Sequence, residues 1–181
     1  MKNILVVIPA RGGSKGIPRK NIINICGRPL IDYTIRSALQ VDRISDVVVS
    51  TEDEEIAIVS KELGAQVPFI RPEHLATDQA QSAPVVIDAL KEMEKIKNKK
   101  YDAVLMLQPT SPLRTQSHID KAIDLFFSQE CDSVVSVVSV GGTHPFRMKR
   151  LVGNQLINYI DQGFWDMRPR QSLPDVYIRN G

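Results

Sequence analysis

The chain is predicted to fold as an α/β protein, an open and mostly parallel sheet with helices on both faces, carrying a small appended subdomain. Three observations carry this expectation. Apolar runs of strand length recur at 4–8, 45–51, 101–107 and 132–140, separated by segments whose apolar residues repeat with helical spacing. Within these runs Ile4-Leu5-Val6-Val7-Ile8 and Val47-Val48-Val49 are continuous rather than alternating, as in strands covered on both faces. From Gly141 onward the pattern changes to short, weak strands among aromatic and basic residues, which suits an excursion better than more sheet.

The bulk properties agree. With 181 residues, 43% hydrophobic and 24% charged, the chain has the length of one ordinary domain and fills a core without disulfides. A net charge of +2 does not favour nucleic acid as a partner; the positive charge is local, in the first loop and at Arg147 to Arg150. Cys26 and Cys131 lie far apart without a C-x-x-C pattern and read as reduced, buried thiols of a cytoplasmic protein. The five-residue apolar run before Pro9 is too short for a signal peptide or a membrane span, so a soluble, cytoplasmic chain is expected, with no repeat or low-complexity segment.

The first strand, Ile4 to Ile8, runs into a loop holding Gly12, Gly13, Ser14 and Gly16 together with Arg11, Lys15, Arg19 and Lys20, and no acid. Small residues let backbone N–H groups approach a ligand and the cations neutralise it, a combination suited to a polyphosphate. The spacing fits neither a Walker A loop, because Ile17 stands where the second glycine belongs, nor G-x-G-x-x-G. Pro18 stiffens the second half and holds Lys20 and Asn21 in place; a basic, flexible surface turn is the alternative. Pro29 then opens a helix lined by Leu30, Ile31, Thr34, Ile35, Ala38 and Leu39.

Ser45 to Thr51 forms the second strand, and Thr51-Glu52-Asp53-Glu54 matches a capping box for a helix that ends at Leu63 before Gly64. Those acids either cap the helix as solvated groups or bind a metal. A third strand, Gln66 to Ile70, leads into Arg71-Pro72-Glu73-His74-Leu75-Ala76-Thr77-Asp78. A planar guanidinium beside a rigid proline at a strand end can read a base edge, so Arg71 either does so or pairs with Glu73 or Asp78. His74 reads as a loop surface residue. Ser82 caps a helix from Ala83 to about Lys95 with Val86, Ile87, Leu90 and Met93 as its stripe, and Lys95 to Lys100 is its solvated end.

The fourth strand, 101–107, ends in Gln108-Pro109-Thr110-Ser111-Pro112-Leu113-Arg114, a rigid polar loop beside the first one if the two strands are neighbours. Arg114 either serves the site or pairs at the start of the next helix. Thr115 caps that helix, which runs to Phe127 on Ile119, Ala122, Ile123 and Phe126, with His118 exposed in its first turn. The fifth strand, Asp132 to Val140, is the most β-branched in the chain and is expected at or near the centre of the sheet. Beyond it come weak strands at Leu151-Val152 and Gln155 to Tyr159 with a hairpin at Gly153-Asn154. Phe164, Trp165 and Met167 near Arg168 and Arg170 suggest an interface. The alternation of Val176 to Arg179 reads as a strand entering a turn at Asn180-Gly181.

Two stretches also carry a family resemblance. Ile8-Pro9-Ala10-Arg11-Gly12-Gly13-Ser14-Lys15-Gly16-Ile17-Pro18-Arg19-Lys20-Asn21 resembles the N-terminal signature of the acylneuraminate (CMP-sialic acid) cytidylyltransferases, and Leu107-Gln108-Pro109-Thr110-Ser111-Pro112-Leu113-Arg114 resembles their second. Enzymes for 3-deoxy-manno-octulosonate share the Ile-Pro-Ala-Arg start and resemble the loop much less after it. The resemblance implies a nucleotide-diphospho-sugar-transferase-like, Rossmann-type sheet. It also implies CTP as co-substrate with Mg2+ or Mn2+, and transfer of CMP to a nine-carbon 2-keto sugar acid with release of pyrophosphate.

By the same resemblance Arg11 and Lys20 act on the triphosphate, assisted by Ser14 and Lys15. Ala10, Gly12 and Gly13 lie along the nucleotide, Asn21 holds the ribose, Arg71 reads cytosine and Ser82 lies near the nucleotide. Gln108, with Thr110 and Ser111, belongs to the sugar-acid side, and Lys149, Arg168, Arg170 and Tyr177 are carboxylate contacts. Residues 1–140 would bind CTP, 141–175 would form a homodimerisation arm reaching the partner's sugar site, and 176–181 a return strand. The family's Asp-x-Asp metal segment has no equivalent here, so the expectation is either a chain that stops before it or a lost metal site, with metal ligands unassigned. The alternatives are the same reaction on legionaminic or pseudaminic acid, or a CTP-binding module without catalysis. Neither nucleic acid nor membrane is expected as a partner.

Overall fold

The first strand organises the sheet. In chain order the computed structural model, which describes residues 2–14, 16–160 and 169–180, contains β1 (Ile4–Pro9), β2 (Asn24–Ile25), β3 (Arg28–Pro29), α1 (Leu30–Leu39), β4 (Asp46–Ser50), α2 (Glu54–Glu62), α3 (Ser82–Lys97), β5 (Ala103–Met106) and α4 (Gln116–Ser128). There follow β6 (Val137–Ser139), β7 (Lys149–Val152), β8 (Gln155–Asn158) and β9 (Tyr177–Arg179). The chain divides into two compact units, one reaching to Asp132 and one from Ser133 to Asn180.

In the first unit β1 is the central strand, parallel to β4 on one side (Val6 opposite Val47, Ile8 opposite Val49) and to β5 on the other (Val6 opposite Leu105). Every side chain from Ile4 to Ile8 is buried, and the two-residue period of a strand sorts them between two cores. Ile4, Val6 and Ile8 pack with Ile31, Ile35 and Ala38 of α1, Ile56 and Ala57 of α2, and Ile119 and Ile123 of α4. Leu5 and Val7 face the other way, onto Val48 and onto Ala89 and Met93 of α3. The unit is therefore an α/β fold with a parallel sheet and helices on both faces. Among the described residues no helix is long and apolar enough to cross a membrane.

Several local expectations need correction. The third strand shrinks to one bridge, with Gln66 N–H donating to Val47 O and Val49 N–H to Gln66 O, both at 2.9 Å. Pro68 follows two residues later and has no N–H to continue the ladder. The fifth strand is not central: β6 pairs antiparallel with β9, and Val137 and Val138 are about half exposed. β-branching favours strand backbone but does not choose the partner. The cap of α2 is Asp53 rather than Thr51, with its carboxylate accepting from Ile56 N–H at 3.0 Å while Thr51 Oγ1 accepts from Asp53 N–H at 3.1 Å. Ser82 is the first residue of α3 and makes no capping bond.

Both cysteines are exposed rather than buried. Cys26 (φ 52°) and Gly27 (φ 85°) form the two-residue turn between β2 and β3, where successive positive φ values match hairpin twist and turn the thiol outward. By contrast Thr115 caps α4 as expected, and His118 Nδ1 accepts from Thr115 N–H in return.

Below the sheet, opposite the strand ends that carry the loops, Asp46 is buried and accepts hydrogen bonds from Lys97 (3.2 Å), Lys99 (2.7 Å), Gln66 Nε2 (2.9 Å) and Tyr101 Oη (2.8 Å). Burial pushes its pKa up, but the hydrogen bonds from Lys99, Gln66, Tyr101 and Lys97 outweigh that and bring it down to about 2. Because the folded value lies below the unfolded one, the contribution is complete above about pH 4 and is lost as pH falls towards 2. Asp46 should therefore account for roughly 2 kcal/mol of stability lost on acidification. Urea unfolding of wild type and Asp46→Asn at pH 7 and at pH 2.5 tests this; equal acid losses in both would contradict it.

In the second unit β7 and β8 form a hairpin whose turn contains Gly153 at φ 58°, as its Gly-Asn sequence predicts. Asn180 N–H donates to Ser136 O at 2.9 Å and extends the β6–β9 pairing by one bond.

Candidate active site

Strand order locates a crevice in the first unit. The chain leaves β1 through α1 to β4 on one side, then passes through α2 and α3 to β5 on the other side of β1. In open α/β sheets this reversal opens a binding crevice outside the carboxyl ends of the strands. Three loops meet that edge: the glycine-rich loop after β1, Thr51 to Asp53 after β4, and Leu107 to Arg114 after β5.

The first loop is anchored at both ends. Ala10 N–H donates to Ser50 O at 3.0 Å, and Ser14 N–H closes onto Gly12 O at 3.0 Å. Asn21, buried in a 3-10 turn that begins at Lys20, donates from Nδ2 to Arg11 O at 2.9 Å. The residue expected on the ribose thus also holds the loop backbone. Among the described residues the Lys20 ammonium makes no ion pair, and Lys15 lies outside the described residues.

Acids from the neighbouring segments meet the loop's donors. Arg11 pairs with Asp78 at 2.7 Å and donates to Thr77 O at 2.8 Å, so the first loop is clipped to the segment after Arg71. Glu52 Oε1 accepts from Gly12 N–H at 2.8 Å. Arg19, in the left-handed region at φ 54°, forms ion pairs with Asp53 and Glu55. The Arg19 guanidinium holds the Asp53 carboxyl below the usual carboxylate range. A carboxylate on a loop N–H and a carboxylate on a loop arginine mark the places where an anionic ligand would find its donors.

Arg71 is 4% exposed. It pairs with neither Glu73 nor Asp78; its Nε donates to Ser50 Oγ at 3.0 Å and its Nη2 donates to Ser50 O. Burial pushes its pKa down, the charges of Glu52 and Asp88 pull it up, and the nearby Arg11 guanidinium adds to the depression. Among the described residues, Glu52 Oε2 and Asp88 Oδ2 are buried without a hydrogen-bond partner. Arg11, Glu52, Arg71 and Asp88 therefore share one electrostatic environment. Ser82 is exposed at the start of α3.

On the β5 side Gln108 is half-buried, Thr110 Oγ1 donates to Gln108 Oε1 at 3.3 Å, and Arg114 Nη1 donates to Gln108 O at 3.3 Å. Ser111 N–H closes a turn onto Gln108 O at 3.4 Å. Burial pushes the Arg114 pKa down.

The remaining expected substrate residues belong to the second unit. Lys149 donates to Asn158 Oδ1 across the β7–β8 ladder. Arg170 lines a cavity of about 130 Å³ with Gly141, His144 and Asp175, and Tyr177 is exposed on β9 opposite Ser139. Gly141 stands at φ 58°, a conformation that glycine adopts without strain. His144 is buried, accepts from Phe146 N–H at Nδ1 (3.1 Å) and lies 3.0 Å from Pro174 O through Nε2, which fixes the Nε2–H tautomer. Arg168, Phe164, Trp165 and Met167 lie outside the described residues.

Sequence reasoning placed Arg19 among the cations of the first loop and gave Glu52 a capping or metal role, but it did not pair Arg19 with Asp53, Glu52 with the Gly12 N–H or Ser50 with Arg71, and it did not find Asp88. The signal for the contacts of Ser50, Glu52 and Asp53 is strand order, since the end of β4 meets the loop after β1 only because the two strands are neighbours.

A cytidylyltransferase family model matches residues 5–160. Pseudaminic acid cytidylyltransferase of Campylobacter jejuni serotype O:2 is 45% identical over 130 residues, covering 72% of this chain and 55% of the relative. CMP-N,N'-diacetyllegionaminic acid synthase of Legionella pneumophila is 45% identical over 122 residues (67% and 52%). N-acylneuraminate cytidylyltransferase of Escherichia coli O18:K1:H7 is 39% identical over 164 residues (91% and 36%). The chain spans about half the length of the first two relatives. The fold matches that of a CMP:2-keto-3-deoxy-manno-octonic acid synthetase solved with CTP, with a TM-score of 0.68 at 18% identity over 99% of this chain and 72% of that one. The crevice therefore stands in a chain that belongs to the cytidylyltransferase family.

Proposed function

We propose that this chain binds CTP in the crevice and transfers CMP to the anomeric hydroxyl of a nine-carbon 2-keto sugar acid of the sialic type. The sugar hydroxyl attacks the α-phosphorus, the bond to the pyrophosphate oxygen breaks, and pyrophosphate leaves. The observation that carries the reading is the clustering of Arg11, the Gly12 N–H and Arg71 at the carboxyl ends of β1 and β4, the set needed for phosphates at one end and a base at the other. Chemistry of this kind is mainly positioning and charge neutralisation.

Arg11 and Lys20 neutralise the triphosphate, Ala10 to Lys15 lie along it, Asn21 holds the ribose, and Arg71 reads the cytosine, with Ser82 nearby. Gln108, Thr110 and Ser111 orient the sugar acid; Lys149, Arg168 and Arg170 supply carboxylate contacts from residues 141–175, the arm of a homodimer, and Tyr177 supplies one from the return strand 176–181. Among the described residues no three His, Cys, Asp or Glu side chains are grouped to hold an ion, and no step is assigned to protein-held metal. Mg2+ or Mn2+ belongs to the proposal as the counter-ion of the CTP phosphates, and the cytoplasm as the place where CTP is met.

Legionaminic and pseudaminic acid are the alternatives within this class, supported by relatives named for them at 45% identity over 122 and 130 residues, beside 39% over 164 residues for the Escherichia coli N-acylneuraminate enzyme. Pyrophosphate release should be measured with CTP, magnesium and each of the three acids. Release that needs both CTP and one of the acids is expected. CTP binding without release from any acid would replace this reading by a CTP-binding module without catalysis.

A further inference from the structure

Ser50 is fully buried at the last position of β4 and touches both the start of the glycine-rich loop and the segment that begins at Arg71. Its carbonyl accepts from Ala10 N–H at 3.0 Å, where β1 gives way to the glycine-rich loop, and also from Arg71 Nη2. Its hydroxyl accepts from Arg71 Nε at 3.0 Å. Among the described residues, these are the hydrogen bonds of the Arg71 side chain. The next peptide, Thr51, accepts the Arg71 backbone N–H at 2.9 Å, so backbone and side chain of the arginine are pinned to one strand end.

A guanidinium is a rigid planar fork, so fixing Nε and one Nη2 hydrogen fixes the plane and leaves the edge made by the second Nη2 hydrogen and the Nη1 donors to a ligand. Cytosine offers two adjacent acceptors, O2 and N3, whereas uracil carries a hydrogen on N3. A donor edge held in place accepts the first and opposes the second; an arginine free to swing finds acceptors on either base. Selectivity is then a property of how firmly the fork is held.

We propose that Ser50 is the positioning residue for nucleobase selectivity, its hydroxyl locking the Arg71 guanidinium in the orientation that accepts cytosine and opposes uracil. This rests on the reading of the crevice as a cytidine nucleotide site. Ser50 does not touch the base, so its removal acts only through Arg71. The bond lost is a hydrogen bond to a charged, buried group, which corresponds to about tenfold in affinity.

The test is calorimetric titration of CTP and of UTP into the 181-residue chain as wild type, Ser50→Ala, Arg71→Met and the double variant. Ser50→Ala should narrow the CTP-to-UTP preference by about tenfold, mainly through weaker CTP binding. On the Arg71→Met background it should change that preference less than about twofold, because the positioned group is gone. If Ser50→Ala does not fold, Ser50→Cys, similar in size but a weak acceptor, takes its place in both backgrounds. An unchanged preference in Ser50→Ala while Arg71→Met loses it would overturn the positioning role and leave Arg71 as base reader. Full additivity of the two changes would also overturn it. If Arg71→Met binds CTP and UTP as wild type does, base reading by Arg71 fails as well.

Discussion

Replacing Arg11 by alanine is expected to weaken CTP binding by about 100-fold, on the order of 3 kcal/mol. Arg11 joins two parts of the crevice, since its backbone carbonyl is held by Asn21 and its guanidinium pairs with Asp78 and Thr77 O. In the proposed site the guanidinium would exchange a carboxylate for phosphate oxygens on CTP binding, a charge-assisted contact of the strong class. Alanine removes that contact and the cation that would meet the triphosphate. Arg11→Lys keeps the charge without the planar fork and should fall between the two. Asp78→Asn should bind CTP at least as tightly as wild type, because the guanidinium no longer has a competing anion. Calorimetry across the three variants checks the order; tighter binding by Arg11→Ala than by Arg11→Lys would contradict it.

Gly12→Ala should cost roughly 30-fold in CTP affinity, on the order of 2 kcal/mol, and lower stability by about 1 to 2 kcal/mol. A Cβ at Gly12 would stand 2.3 Å from Asp53 Oδ2 and 3.0 Å from Asp53 Cβ and Cγ. Asp53 is short and doubly held, as the cap of α2 through Ile56 N–H and as the partner of Arg19. It cannot retreat without giving up one of them, and the loop must move instead. Gly13→Ala is the internal control: its Cβ would meet nothing within 4 Å, so stability should be unchanged. Thermal unfolding of both variants, together with Gly12→Ala/Asp53→Ala to relieve the contact, separates the clash from a general dislike of alanine in the loop. Equal destabilisation by Gly12→Ala and Gly13→Ala would contradict the argument.

Features set by neighbouring residues were legible in the sequence. β1, the start of α1 after Pro29, the Thr115 cap and the Gly153-Asn154 hairpin all follow from local patterns, and each is found. What failed depended on partners distant in the chain. The valines of 134–140 announce a strand but not that β6 pairs with β9, and Pro68 cut short a run whose hydrophobicity alone read as a full strand. Cys26 was placed in the core by its residue type and carried to the surface by the turn it occupies.

The crevice divided the same way. The cations and glycines of the first loop and the rigid Gln108 loop were visible as motifs. The contact of Glu52 with the Gly12 N–H and the clamp of Ser50 on Arg71 were not, because they arise only when β4 lies beside β1. Residue spacing suggested Glu73 or Asp78 as alternative partners for Arg71; the fold gives Asp78 to Arg11.

The most direct test of the account is whether the edge formed by β1, β4 and β5 selects a cytidine nucleotide. Calorimetric titration of the wild-type chain with CTP, UTP and ATP in the presence of magnesium should give one CTP bound per chain, at least about tenfold more tightly than UTP or ATP. No measurable CTP binding, or the same affinity for all three nucleotides, would contradict it.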